Sequence, residues 1–371
     1  SQGVESINCL LRPLGLRLIK RRKIMKKHIL LLGLCLSLSL SAKSMSDYKV
    51  GEELSDKEGV EYFKELSKRP VQEWPNKNLS INDVPKGKQG DLIRYGIELL
   101  SKTESTLGPY SKLKKTSNEV NCISCHMDND GNGLPGTKKY VIPFLNVLNN
   151  YPRLDIETMK IISVEDRIRG MGGTDSHRFP NDSKEMKAIL AYFKWLKEAY
   201  GIKDGVKLEG DFFAKMNFPN RPADPVRGKK LFEENCVACH GERGLGVKND
   251  NYEQGSGHLY PSLLIYPDGG HMAMIPFLAR FLKSAMPFGA SADNPILSDE
   301  DALDIAAYVN TGFVRMPITT TENRAGLDTA YSKSPSLKPE YFASPQQNLD
   351  PKEYIKVKYG PWKNPNHFPG E

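Results

Sequence analysis

The sequence predicts an all-α protein with two helical units in tandem and an extended C-terminal tail. Three observations carry this expectation. The motif CxxCH occurs twice, at Cys122–His126 and at Cys236–His240. Landmarks after each motif are evenly matched: Met171 lies 45 residues beyond His126, and Met286 lies 46 beyond His240. From each methionine to a helix-opening serine, Ser183 or Ser298, is 12 residues. Each serine then heads an amphipathic stretch, SKEMKAILAYFKWL or SDEDALDIAAYVN. Both stretches read as a serine N-cap, an acidic first turn and an apolar stripe facing a core. An internal duplication accounts for all these matches together.

Residues 1–45 read as a leader. Met25 is followed by Lys26, Lys27 and His28, then by the apolar run Ile29 to Leu40. A bilayer span needs roughly 20 apolar residues, so this run suits a secretory signal peptide better than a retained anchor, the competing reading. Ala42 and Ser44 supply small residues for cleavage. The expected location is therefore the periplasm. The first unit is placed at residues 46–205, with a helix in GDLIRYGIELL, residues 90–100. The second is placed at 206–315, entered through a Gly- and Pro-rich linker and the short helix PVRGKKLFEENC. The tail, 316–371, is rich in Pro, Ser and Tyr with little periodicity, and is expected to be extended.

Charge excludes one class of partner. The chain has a formal net charge of +7, but residues 1–45 hold nine Lys/Arg and one acid. The rest is close to neutral, so the basic balance belongs to the leader and no nucleic-acid partner is expected.

Of six cysteines, Cys9 and Cys35 fall in the leader and the other four form the two CxxCH motifs. None remains for a disulfide or a catalytic thiol. In CxxCH the two thiols can add to the two vinyl groups of haem, and the adjacent histidine lies beneath the iron. A zinc ribbon would bring its CxxC pairs onto one metal, but these motifs are 114 residues apart, each with its own histidine and its own later methionine. The expectation is two covalently attached c-type haems in two cytochrome c domains. One rests on Cys122, Cys125 and His126, the other on Cys236, Cys239 and His240. Met286, in the turn SAMPFG, is the expected sixth ligand of the second haem; Met272, Met274, His258 and His271 are the alternatives. Met171, in RGMGG, is expected at the first haem, with His177 as the alternative.

These residues resemble the dihaem thiosulfate dehydrogenases, whose first domain is related to the SoxA cytochromes of sulfur oxidation. The resemblance runs through GDLIRYGIELL, NCISCH, VEDRIRGM, GKKLFEENCVACHG, MPFG, LSDEDALDIAAYVN and VKYGPW. It implies two mostly helical cytochrome c domains, conversion of thiosulfate to tetrathionate or the reverse at the first haem, and a soluble or membrane-bound cytochrome as redox partner. It also implies a basic site for the dianion, at Arg167 and Arg153; the alternative for both is pairing with haem propionates or a solvated surface. In that family a cysteine follows the DRI segment and ligates the first haem; here Met171 stands there. A thioether cannot ionise or carry a covalent sulfane as a thiolate can. The leading expectation is therefore an electron carrier on this scaffold. The alternatives are an active thiosulfate dehydrogenase with altered ligation and, third, a dihaem peroxidase.

Overall fold

The computed structural model describes residue 43 and residues 47–263, 271–311, 333–342 and 349–369. The leader expectation lies outside the described residues except for Lys43, and so does much of the tail.

Most of the longer helices begin where the sequence supplies a side-chain cap. Helix α1, Asp56–Ser67, is opened by Ser55, whose hydroxyl accepts from the Glu58 N–H while the Glu58 carboxylate accepts from the Ser55 N–H. It lies ahead of the 90–100 helix, the first one expected from the sequence. Helix α2, Lys88–Ser101, contains the expected 90–100 segment and leads into the single turn α3, Thr103–Thr106. After α4, Val147–Asn150, helix α5 spans Val164–Gly172 behind a Ser163–Asp166 capping box and stops at Gly173, whose φ of 59° lies in the left-handed region. Helix α6, Lys184–Tyr200, starts at Ser183 as expected. Asp224 caps α7, Pro225–Asn235, which runs directly into α8, Val237–His240. Helix α9 is Ile275–Ala285, and α10, Asp299–Asn310, is capped by Ser298.

The scaffold is helix-rich as expected, and one expectation is corrected here. The tail is not wholly extended: Asp350 caps a helix, α11, Pro351–Tyr359, with a proline in its first turn and Lys356 and Lys358 in its last. These local signals outweigh the weak apolar periodicity. Strands also occur within the helical scaffold: β1 (Val71–Gln72), β2 (Arg153–Asp155), β3 (Lys160–Ile162), β4 (Lys207–Leu208), β5 (Val247–Lys248) and β6 (His258–Tyr260). They form three two-stranded sheets, β1 with β4 in parallel and β2–β3 and β5–β6 antiparallel. At two or three residues each, they clamp loops rather than build a layer.

Among the described residues, those from Lys43 onward form one unit with two apolar cores. In one core, Ile93, Ile97 and Leu100 of α2 meet Ile189, Phe193 and Leu196 of α6. In the other, Phe232 of α7 meets Ile305 and Tyr308 of α10, and Tyr62, Leu154, Leu337 and Phe368 join them. Each core is crossed at a glycine. A Cβ on Gly96 would lie 2.2 Å from the Ala188 carbonyl oxygen, and one on Gly228 would lie 1.8 Å from that of Asp304. Only a residue without a side chain lets the helix ahead of each CxxCH approach its partner so closely.

The second crossing is tied by charge. The buried Asp304 carboxylate accepts from Arg221 at 2.9 Å, Arg227 at 2.6 Å and the Asp224 N–H at 2.8 Å. Both arginines are more exposed than the carboxylate. Replacing both by alanine strands the buried charge, and the expected loss is about 3–5 kcal/mol of unfolding free energy in urea melts. A loss below about 1 kcal/mol would show that Asp304 is held by its other contacts.

Candidate haem sites

The first motif sits between α3 and a loop. The His126 N–H donates to the Cys122 carbonyl at 2.9 Å, the one-turn bond that sets the ring beside the cysteines. Its Nδ1 lies 2.6 Å from the Ile142 carbonyl oxygen, and its ring stacks on Phe144 with centroids 4.3 Å apart. Thr103 holds Cys122 from both sides. Its Oγ1 accepts from the Cys122 N–H at 3.1 Å and donates toward Sγ at 3.2 Å.

The second motif repeats the pattern on α8. The His240 N–H donates to the Cys236 carbonyl at 2.9 Å, and Nδ1 lies 2.9 Å from the Pro261 carbonyl oxygen. A carbonyl only accepts, so Nδ1 carries the proton in both rings. Nε2 is then left with a bare lone pair, the tautomer of a metal-ligating histidine. Burial favours the neutral ring further. It lowers His240, and it lowers His126 to about 4, with the Arg167 charge adding to the burial and the Ile142 carbonyl opposing it. All four thiols are unbridged; burial raises Cys122, and burial with the neighbouring Cys239 raises Cys236 to about 12. Two thiols, a neutral imidazole with its outer nitrogen fixed, and apolar walls fit a covalent haem at each motif. Among the described residues no group of three or more His, Cys, Asp and Glu is arranged to hold a metal ion.

Met286 ends α9 with its side chain half-buried against the second core. Met171 is half-buried in the last turn of α5; the Ser163 and Gly173 caps extend the helix through it. The Asn118 amide donates to the Met171 carbonyl. His177 is exposed, its N–H turned to Asp175 at 2.9 Å. His258 is engaged elsewhere: its Nδ1 lies 2.8 Å from the buried Glu104 carboxylate, which also accepts from its N–H at 3.0 Å. Met274 is buried in the second core and Met272 packs against it. Arg153 lies on β2 and Arg167 on α5. Their charges converge on His271, which burial and then both arginines depress to about 3. Sequence reasoning misses the Thr103 clamp, the two carbonyl acceptors and this convergence on His271.

Comparison with known proteins agrees with the geometry. Residues 225–312 match the family described as cytochrome c. Over 263 residues the chain is 30% identical to a thiosulfate dehydrogenase of Psychrobacter arcticus, covering 70% of this chain and 72% of that protein. The chain belongs to the thiosulfate dehydrogenase family. A thiosulfate dehydrogenase of Stutzerimonas stutzeri is 29% identical over 237 residues, covering 62% of this chain and 69% of that one. In fold the chain is similar to a solved thiosulfate dehydrogenase of Marichromatium purpuratum in its as-isolated form, with a TM-score of 0.52 and 23% identity. That match covers 66% of this chain and half of the solved one. As a member of the thiosulfate dehydrogenase family the protein is a c-type cytochrome: it binds haem covalently and transfers electrons in sulfur metabolism. No helix among the described residues is long and apolar enough to cross a membrane.

Proposed function

We propose that this chain is a periplasmic electron carrier with two covalent haems, built on the thiosulfate dehydrogenase scaffold as two tandem cytochrome c domains, 46–205 and 206–315. The observation that carries the reading is the repeated lock on the proximal imidazole, His126 to the Ile142 carbonyl and His240 to the Pro261 carbonyl. In this reading Cys122, Cys125 and His126 hold one haem and Cys236, Cys239 and His240 the other, with Met171 and Met286 as distal ligands. Haem so bound supplies a one-electron relay, and thioether ligation raises its potential relative to a thiolate. The protein's own contributions are orientation and charge. The carbonyl locks keep each ring in one tautomer, Thr103 fixes the first cysteine, and the partner for electron exchange is a soluble or membrane-bound cytochrome.

A second reading, an active thiosulfate dehydrogenase, is favoured by Arg153 and Arg167, whose charges both act on His271, Arg167 acting on His126 of the first motif as well. Two guanidinium groups can neutralise a dianion such as thiosulfate. Met171 offers no ionisable sulfur to carry a sulfane, so the carrier reading stands ahead. The test is steady-state thiosulfate oxidation with a soluble one-electron acceptor. Wild type is expected to turn over slowly or not at all, and Met171→Cys to gain activity by about tenfold or more, the lower range for restoring a positioned reactive group. Wild-type turnover at or above that of the variant would return the protein to the enzyme class.

A further inference from the structure

His271 opens a short 3₁₀ turn, His271–Ala273, just ahead of α9. Its ring is wedged between Phe368, with centroids 4.5 Å apart, and Phe277, at 5.5 Å. The residue as a whole is half-buried, yet Nε2 is shut away from solvent and has no hydrogen-bond partner among the described residues. A buried imidazole nitrogen left unsatisfied costs about 1–3 kcal/mol, so such an atom points to an absent ligand. Two positive side chains, Arg153 from β2 and Arg167 from α5, lie close enough to act on this ring. Arg167 also acts on His126 of the first motif. The second half of the chain thus places a buried imidazole nitrogen within the fields of two arginines from the first half.

We propose that His271 is a substrate-contacting residue, whose Nε2–H donates to an oxygen of a small sulfur oxyanion held by Arg153 and Arg167. The chemistry suits a dianion with several acceptor oxygens. The arginines balance its charge, and a neutral donor wedged between aromatic rings fixes its orientation without adding a third positive charge. The phenylalanines hold the ring in place, so little conformational freedom is lost on binding. This inference rests on the reading of a thiosulfate dehydrogenase scaffold and assigns a further contact to its anion site.

The experiment is an equilibrium titration of the fully reduced dihaem protein with thiosulfate, followed by calorimetry, with no electron acceptor present. His271→Phe keeps the apolar wedge and removes the donor; His271→Gln keeps a donor. The expected result is a loss of affinity of about tenfold or more for His271→Phe and less than about threefold for His271→Gln, the range for one hydrogen bond to a charged ligand. Absorption spectra and thermal melts of all three proteins should coincide. Equal binding by wild type and His271→Phe overturns the inference alone. Loss of a low-spin haem spectrum in His271→Phe also overturns it, because the residue would then be an iron ligand. Wild-type protein that binds no thiosulfate overturns both the inference and the anion site on which it rests.

Discussion

Cys236→Ser combined with Cys239→Ser is expected to yield a protein with one covalent haem per chain in place of two, read as pyridine haemochrome against protein concentration. The two cysteines flank the turn that delivers His240, and neither has another cysteine to share its role. Without thioether bonds a haem at this motif is held only by axial ligation and washes out under denaturing extraction. The matching change at Cys122 and Cys125 should leave one haem as well, and the four-fold variant none. The paired series matters because it counts the sites independently. An unchanged haem content after the Cys236/Cys239 change would mean that only the first motif is loaded in the wild type. The scaffold would then be a monohaem cytochrome with a vestigial second site.

Gly228→Ala should be the most damaging single change outside the haem motifs. Its Cβ would fall 1.8 Å from the Asp304 carbonyl oxygen, well inside any tolerable approach. The obstacle is helix backbone, so no side chain can swing aside. Helices α7 and α10 would have to separate, loosening the packing of Phe232 against Tyr308, whose rings are 5.3 Å apart. Overpacking of this kind costs about 3 kcal/mol. Gly96→Ala meets the Ala188 carbonyl oxygen at 2.2 Å and should cost a similar amount in the other core. Urea melts of the two variants test both. A change below about 0.5 kcal/mol in either would show that the crossing it marks can relax freely.

The elements around the two motifs are legible in the sequence because local chemistry and tertiary demand agree there. Ser183 and Ser298 cap the helices that their positions announce, and the 90–100 stripe marks α2 to within two residues at its start and one at its end. Helix α11 is hidden because its apolar stripe is weak, although Asp350, Pro351 and the late lysines spell out its two ends. Helix α1 is legible yet missed: the Ser55–Glu58 pair marks its start, and Tyr62, Phe63 and Leu66 form its apolar stripe. At the site, cysteine and histidine announce themselves by type and spacing. The carbonyl acceptors do not, since every residue has one and only the fold decides that Ile142 and Pro261 present theirs to a ring. His271 lies 104 residues from Arg167 in sequence, and no local pattern could have joined them.

One core draws on both extremes of the described chain. Tyr48, Leu54 and Tyr62 share it with Leu337, Tyr341, Phe342 and Phe368, and the Ser336 hydroxyl donates to Asp56 at 2.7 Å. A chain emerging from its N-terminus therefore cannot close this core until the segment bearing Phe368 has followed. The second CxxCH motif, whose Cys236 packs against this core, comes out well before that point. Its thiols have an interval in which the apolar wall that later encloses them is still incomplete, and an enzyme that attaches haem can reach them. The late arrival of the tail thus sets an order of events: cofactor attachment first, closure afterwards.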